Sequence, residues 1–157
     1  MKAPIFLTIL IALLAFSACR KESSVPEPAD EQTWRYADST FNAAFAEVNI
    51  RYGYKITFRP GGATGLDYGV TLHFSEKPQD GNNYLASRDT TSRTQVKVIL
   101  QTGSEPSYSS IGGDGKQVTV DLKDGKLRYS GADIRLVRDT IPAEADTLLL
   151  RFKLTEF

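Results

Sequence analysis

Apolar and polar positions alternate along most of the chain after Thr33. Trp34 and Tyr36 begin the pattern, and seven later segments repeat it: 55–59, 70–74, 96–100, 118–122, 127–129, 134–136 and 148–154. Because successive side chains of a strand point to opposite faces, each segment is predicted to be a strand with one buried face and one solvent-exposed face. A solvent-exposed face is typical of antiparallel sheets. About eight short strands predict an all-β domain over residues 33–157. We favour an antiparallel β-sandwich, and a small barrel is the alternative.

Turn signals separate these segments. They are Gly61-Gly62, Asp80-Gly81, Gly112-Gly113, Asp114-Gly115 and Asp124-Gly125. Asp-Gly suits a two-residue hairpin turn, since both residues tolerate positive φ. We therefore expect the clearest hairpin at Asp124-Gly125, between the 118–122 and 127–129 segments.

The segment 41–48 fits two periods. A helix, capped by Asp38 or Ser39, would bury Phe41, Ala44, Phe45 and Val48. A strand would bury Phe41, Ala43 and Phe45. We favour a strand that pairs with Trp34–Tyr36 across a turn at residues 38–40. Either choice leaves the fold class unchanged.

The first residues of the chain follow a different pattern. Met1 and Lys2 precede an apolar run from Ile5 to Phe16, in which Thr8 is the only polar residue. The run is shorter than the roughly 20 apolar residues that span a bilayer. A positive start, an apolar run of this length and small residues after it are typical of a secretory signal peptide. Residues 1–18 are therefore predicted to be a cleaved signal.

The end of this segment, Phe16-Ser17-Ala18-Cys19, resembles a lipobox, the site of lipoprotein signal peptidase. The resemblance implies that Cys19 receives a diacylglyceryl group and anchors the chain in a membrane. Cys19 is also the single cysteine of the chain, so it cannot close an intramolecular disulfide. Phe16 stands where lipoboxes usually have Leu. The alternative is ordinary signal-peptidase cleavage after Ser17.

Residues 20–32 are predicted to form a flexible tether, because they combine Ser, Pro and charges with little to bury. With the lipobox, the Trp34-Arg35-Tyr36 strand, the segment Gly81-Asn82-Asn83-Tyr84-Leu85 and a closing hydrophobic hairpin, the layout resembles small β-rich lipoproteins of the Bacteroidota. That resemblance implies an outer-membrane lipid anchor. Surface-exported members tend to be acidic after the cysteine, whereas Arg20 and Lys21 stand here. The periplasmic face and the cell surface therefore both stay open.

Exported proteins of that phylum can also be O-glycosylated where Asp precedes Ser or Thr and then an aliphatic residue or Thr. Four segments are similar to this motif, and the implied attachment residues are Ser39, Thr90, Thr140 and Thr147. The alternative is that these pairs belong to turns, where an Asp side chain bonds the backbone.

Little in the sequence indicates catalysis. Nineteen basic and nineteen acidic residues give zero net charge, so nucleic acid is not an expected partner. His73, the only histidine, alternates with apolar neighbours, which predicts an ordinary outward strand residue. A structural zinc site needs about four Cys or His ligands. No metal or cofactor is expected, and no catalytic residue is assigned.

Two sets of residues leave alternatives open. A glycosidase needs a carboxylate pair, for which the candidates are Asp67, Glu76, Asp80, Asp121 and Asp133. Six aromatic residues either stack on sugars or complete the rim of the core: Trp34, Tyr52, Tyr54, Tyr68, Tyr84 and Tyr108. We favour the rim for Trp34 and most of these tyrosines. We expect a non-catalytic binding or structural module whose partner is a glycan or an envelope protein. The alternatives are a carbohydrate-active hydrolase and a surface assembly subunit with an exposed edge strand.

Overall fold

The computed structural model describes residues 32–62, 67–103, 106–140 and 146–157, and their regular elements are all β-strands. The strands are β1 (Thr33–Tyr36), β2 (Ser39–Asn49), β3 (Tyr54–Pro60), β4 (Tyr68–Phe74), β5 (Asn82–Ala86), β6 (Gln95–Thr102), β7 (Tyr108–Ser110), β8 (Gln117–Lys123), β9 (Lys126–Arg138) and β10 (Thr147–Thr155). The all-β prediction is confirmed. In the described ranges no helix is long and apolar enough to cross a bilayer. The predicted signal peptide, Cys19 and residues 20–31 of the predicted tether lie outside the described residues.

The ten strands belong to one sheet, and this sheet closes on itself. Its order is β10-β1-β2-β3-β4-β6-β5-β8-β9-β7, and β9 also pairs with β10, which completes the ring. The short strand β7 pairs with both β6 and β9, which are the two strands that flank the β5–β8 pair. β5 runs parallel to β6, and the other pairs are antiparallel. This continuous ring has the form of the small barrel, which was the alternative to the favoured sandwich.

Ten strands are present where about eight were predicted. β5 and β7 have five and three residues and are too short to show a clear alternation in the sequence. The predicted 127–129 and 134–136 strands are two parts of β9. The ambiguous 41–48 segment is a strand within β2, and it pairs with β1 as expected. Phe45, which the strand pattern would bury, is 37% exposed, because the β2–β3 register shifts between Ala43 and Phe45.

Apolar side chains fill the inside of the ring. The largest of them, each at most 2% exposed, are Trp34, Phe58, Phe74, Tyr129 and Phe152. The ring centroids of Phe58 and Phe74 lie 5.9 and 6.1 Å from that of Tyr129. Full burial of such a side chain contributes about 1.5–3 kcal/mol. The interior is thus a packed core and not a pore.

One end of the barrel carries two hairpin turns and is called the hairpin end below. The β2–β3 turn covers residues 50–53, and the β8–β9 turn is Asp124-Gly125. The strand directions put both turns, the start of β1 and the end of β10 on this side. Asp124 and Gly125 have φ of 52° and 79°. Positive φ at both central residues is the type I′ geometry, so the hairpin predicted there is confirmed.

Candidate ligand-binding groove

A groove of about 540 Å³ crosses the outer surface of β8, β9 and β10. The outward side chains of these strands line it, because inward ones such as Val118, Val120 and Tyr129 are buried in the core. Its main polar side chains are Thr119, Asp121, Arg128, Ser130, Arg151 and Lys153. Small-molecule sites occupy about 300–1,000 Å³, so the groove is large enough for a ligand.

Strand register brings the polar side chains of the groove together. Thr119 lies opposite Ser130, and Ser130 lies opposite Lys153. The Cβ atoms of such directly opposed residues are about 4.5–5.5 Å apart. One row across the three strands therefore carries two hydroxyl groups and an ammonium group.

A β-bulge shapes the middle of the groove. The β9–β10 register shifts between Leu150 and Phe152, and Asp133 has a φ of 53°. Bulges bend a strand and re-aim its side chains. The Arg151 guanidinium donates a 2.6 Å hydrogen bond to Asp133. The bulge thus supplies the carboxylate that holds Arg151 beside the groove.

Gly131 makes room for the packing at this bend. A Cβ atom on Gly131 would lie 2.7 Å from Cε1 and Cζ of Phe152. The Phe152 ring is 2% exposed and packs directly against the Gly131 backbone. A larger side chain at position 131 would have to displace this ring from the core.

Three cationic side chains, Arg128, Arg151 and Lys153, line the groove together with one carboxylate, that of Asp121. Arg128 donates to Asp121 at 3.2 Å, and the Arg128 and Arg151 side chains are only 26% and 20% exposed. Lys153 has no ion-pair partner among the residues that the structure describes. A guanidinium held in place presents planar donors that match a carboxylate or phosphate. The groove can therefore bind an anionic group, with hydroxyl groups beside it for polar substituents.

Of the five acids considered for a carboxylate pair, Asp121 lines the groove and Asp133 contacts its Arg151. The others are elsewhere: Asp67 precedes β4, and Glu76 and Asp80 lie between β4 and β5. Asp121 and Asp133 each accept a hydrogen bond from an arginine. The general acid of a glycosidase must instead carry a proton that it donates. The observed contacts favour a role for both carboxylates in positioning the arginines.

A second polar cluster lies inside the barrel near the hairpin end. The hydroxyl groups of Tyr54 and Tyr129 both donate to Oε1 of Glu156, at 2.5 and 2.7 Å. Burial and the adjacent Glu156 carboxylate raise the pKa of Tyr54 to about 12. The same two causes raise the pKa of Tyr129. The cluster links β3 and β9 to the residue that follows β10.

His73 faces outward, between the buried Leu72 and Phe74, as predicted. Its Nε2 lies 2.8 Å from the carbonyl oxygen of Tyr52, so it contacts the β2–β3 turn.

The six aromatic residues considered for sugar stacking differ in exposure. Trp34, Tyr54 and Tyr84 are buried, Tyr68 and Tyr108 are half-buried, and Tyr52 is 77% exposed. The preferred assignment to the core and its rim is confirmed for all except Tyr52.

The residues predicted for O-glycosylation differ in exposure. Ser39, Thr140 and Thr147 are exposed, and Thr90 is half-buried. Ser39 and Thr147 are the first residues of β2 and β10. Within the described ranges, no group of three or more His, Cys, Asp or Glu residues is placed to hold a metal ion.

The groove was not predicted from the sequence. Outward polar residues alternate in the same way whether they line a groove or cover a convex wall. The available signal was Gly131, since a glycine inside a strand pattern often marks a bulge. Comparison of the chain with protein-family models, with curated proteins and with solved structures finds no match.

Proposed function

We propose that this chain is an outer-membrane lipoprotein, anchored at Cys19, whose barrel binds an acidic glycan without catalysis. The apolar run and the segment Phe16-Ser17-Ala18-Cys19 support export and anchoring. One observation carries the binding role: two arginines, each held by a carboxylate, lie in one groove with Lys153 and a row of hydroxyl groups.

The chemistry of the groove favours an acidic glycan as the ligand class. Such a glycan carries carboxylates or sulfates among many hydroxyl groups. Arg128 and Arg151 offer fork-shaped donors to the acidic groups, and Lys153 offers an ammonium on a flexible stem. The hydroxyl groups of Thr119 and Ser130 both donate and accept, as sugar hydroxyls require.

Calorimetric titration tests the groove. The chain from residue 19 onward, with Cys19→Ser to prevent lipidation, is titrated with a uronic-acid oligosaccharide and with a neutral glucan of equal length. We expect binding of the acidic oligosaccharide alone, weakening as salt screens the charges. Lys153→Gln should reduce its affinity about fivefold, which corresponds to about 1 kcal/mol.

Lys97→Gln provides the matched control for this titration. Lys97 is a half-buried lysine on β6, outside the groove wall, so its replacement should leave the affinity unchanged. Equal binding of the neutral glucan would contradict the role of the arginines. An acidic peptide that binds while both glycans fail would assign the groove to a protein partner.

A hydrolase is the second candidate, since Asp121 lines the groove and Asp133 contacts its Arg151. It requires that the acidic oligosaccharide release reducing ends over time in the presence of the chain. Asp121→Asn or Asp133→Asn would then abolish this release. Binding with no release of reducing ends would exclude hydrolysis of that substrate.

An assembly subunit is the third candidate, and the edge of β2 is relevant to it. Within the described ranges, residues 45–49 of β2 pair with β3 but have no strand partner on the β1 side. A free strand edge can accept a strand from another chain. Light scattering of the Cys19→Ser chain across a concentration series separates this role from binding, because only assembly raises the mass.

The anchor is tested in cells by fractionation. Wild-type chain should sediment with the outer membrane, and the Cys19→Ser variant should be soluble. Protease added to intact cells then distinguishes the cell surface from the periplasmic face. A Cys19→Ser variant that stays with the membrane would contradict anchoring through this residue.

A further inference from the structure

Large apolar side chains are exposed at the hairpin end. Among the described residues eight such side chains are exposed, and five of them lie here: Val48, Ile50, Tyr52, Leu122 and Phe157, at 52%, 76%, 77%, 53% and 54% exposure. We call these five residues the apolar rim. Single exposed apolar residues are common, but several at one end of a molecule indicate an interaction surface.

The β2–β3 turn holds part of the apolar rim on a fixed backbone. Gly53 has a φ of 92°, and a Cβ atom there would lie 2.5 Å from the carbonyl oxygen of Phe74. The turn therefore packs against the end of β4. His73 contacts the carbonyl of Tyr52 on the same turn. Because the backbone is already ordered, docking through Ile50 and Tyr52 costs little additional entropy.

The charges around the apolar rim are mixed. Four basic and four acidic residues belong to the strand ends and connections of this end: Arg51, Lys77, Lys123, Lys126, Glu47, Glu76, Asp80 and Asp124. Charges of both signs in near balance give little net attraction to a charged surface. Contact through this end therefore depends on apolar burial, and we expect it to be insensitive to lipid charge.

The path of the chain relates the apolar rim to the membrane. β1 begins at Thr33 and runs away from the hairpin end. Gln32 precedes it and bonds the end of β10, where its side chain donates to the carbonyl of Thr155 at 2.9 Å. Thirteen peptide steps separate Cys19 from Gln32, and they span at most about 45 Å. A lipid on Cys19 would thus keep Gln32 within about 45 Å of the bilayer.

From these observations we infer that the apolar rim rests on the bilayer that holds the lipid of Cys19. This inference rests on the proposed anchor. A short tether raises the effective concentration of the rim at the membrane, so a weak apolar contact is sufficient. Tyr52 suits the interface, because its ring is apolar and its hydroxyl group stays in contact with water. In this orientation the groove on β8, β9 and β10 faces sideways and stays open to a ligand.

The orientation can be measured on a chemically anchored chain. Cys19 is the single cysteine, so the chain from residue 19 onward can be coupled through its thiol to a maleimide lipid in nanodiscs. Gadolinium-labelled lipid then broadens the amide signals that lie near the bilayer. We expect loss of the signals of Val48, Ile50 and Tyr52, while those of Asp38 and Thr140 at the opposite end persist. Replacing phosphatidylcholine by phosphatidylglycerol should not change the pattern.

Two variants make this test specific. The double variant Ile50→Ser, Tyr52→Ser should lose most of the difference in broadening between the two ends. Leu149→Ser is the matched control, since Leu149 is 59% exposed but lies outside the apolar rim on β10. This control should keep the wild-type pattern.

Each contrary outcome has a defined meaning. Even broadening in the wild type, or broadening strongest at Asp38, overturns the inference. So does a double variant that behaves like the wild type. Concentration-dependent shifts of Ile50 and Tyr52 in the unanchored chain would assign the apolar rim to a second copy instead. Because the coupling supplies the anchor, these results are independent of whether cells lipidate Cys19.

Discussion

The groove and the apolar rim arise from the same alternation of side chains, but from opposite faces of the strands. Groove residues such as Ser130 and Lys153 are outward positions. In the rim, Val48 lies opposite Ile56 and Leu122 lies opposite Leu127, and both partners are buried. These rim residues therefore have the same orientation as core residues but lie beyond the edge of the core. The shape of the groove depends on a local bend in the backbone, whereas the exposure of the rim depends on strands that extend beyond the core.

Gly131→Ala should have the largest effect, because it acts where the groove meets the core. Its Cβ atom would meet the Phe152 ring at 2.7 Å. Overpacking of this kind costs about 1–3 kcal/mol, and we expect a loss of about 2 kcal/mol in the free energy of unfolding, measured by urea denaturation. Ala132→Ser, at the exposed neighbouring position, should cost less than about 0.5 kcal/mol. A similarly small loss for Gly131→Ala would show that Phe152 moves freely.

High pH should lower the stability of the protein at the hairpin end, through the cluster of Tyr54, Tyr129 and Glu156. The pKa of Tyr54 rises from 10.0 to about 12 on folding, so the unfolded chain ionises first. The resulting stabilisation is complete below about pH 10 and is lost as the pH rises towards 12. Because solvent screens part of this interaction, we expect the loss to be on the order of 1–2 kcal/mol, measured by urea denaturation across this range.

Substitution of the tyrosines identifies the source of this pH dependence. The double variant Tyr54→Phe, Tyr129→Phe should be less stable at neutral pH, with a flatter pH profile above pH 10. Tyr52→Phe, at an exposed position, should retain the wild-type profile. If the free energy of unfolding of the double variant falls with pH as steeply as that of the wild type, the loss of stability at high pH comes from other groups.

Substitutions in the apolar rim should have the smallest effect on stability. Val48→Ser and Leu122→Ser remove side chains that are half exposed, so each should change the free energy of unfolding by about 0.5 kcal/mol or less. Ile56→Val, at the buried partner of Val48, should cost about 0.5–1.5 kcal/mol. Thermal or urea unfolding compares them directly. If Val48→Ser loses as much unfolding free energy as Ile56→Val, Val48 belongs to the core.

The sequence predicted the parts of the fold that depend on local pattern. Alternation indicated most strands, because each buries one face against the same core. Asp124-Gly125 indicated its hairpin, because few other residue pairs tolerate two positive φ values. The same alternation predicted that Leu122 would be buried with Val118 and Val120, yet Leu122 is 53% exposed. A periodic pattern does not indicate where along a strand the core ends.

The candidate site depends on contacts that no local pattern contains. Tyr54 bonds Glu156 across 102 positions of the chain. Arg151 meets Asp133 only because the β9–β10 register shifts at the bulge. Ring closure likewise requires β1 to join β10, the first described strand to the last. Such contacts follow from the assembled sheet, so the groove could be recognised only after the strands were paired.

The bonding of Gln32 determines how the barrel bears mechanical load. Its backbone N–H donates to the carbonyl of Lys153 at 2.8 Å, and its carbonyl accepts from the N–H of Ala43 at 2.7 Å. Its side chain both donates to and accepts from the Thr155 backbone. A pull on the chain at Gln32, directed along β1, therefore loads the bonds to β10 and β2 in shear and together, because these bonds run across the strands. Strands loaded in shear resist force better than strands that unzip one bond at a time, so we expect β1 to resist such a pull.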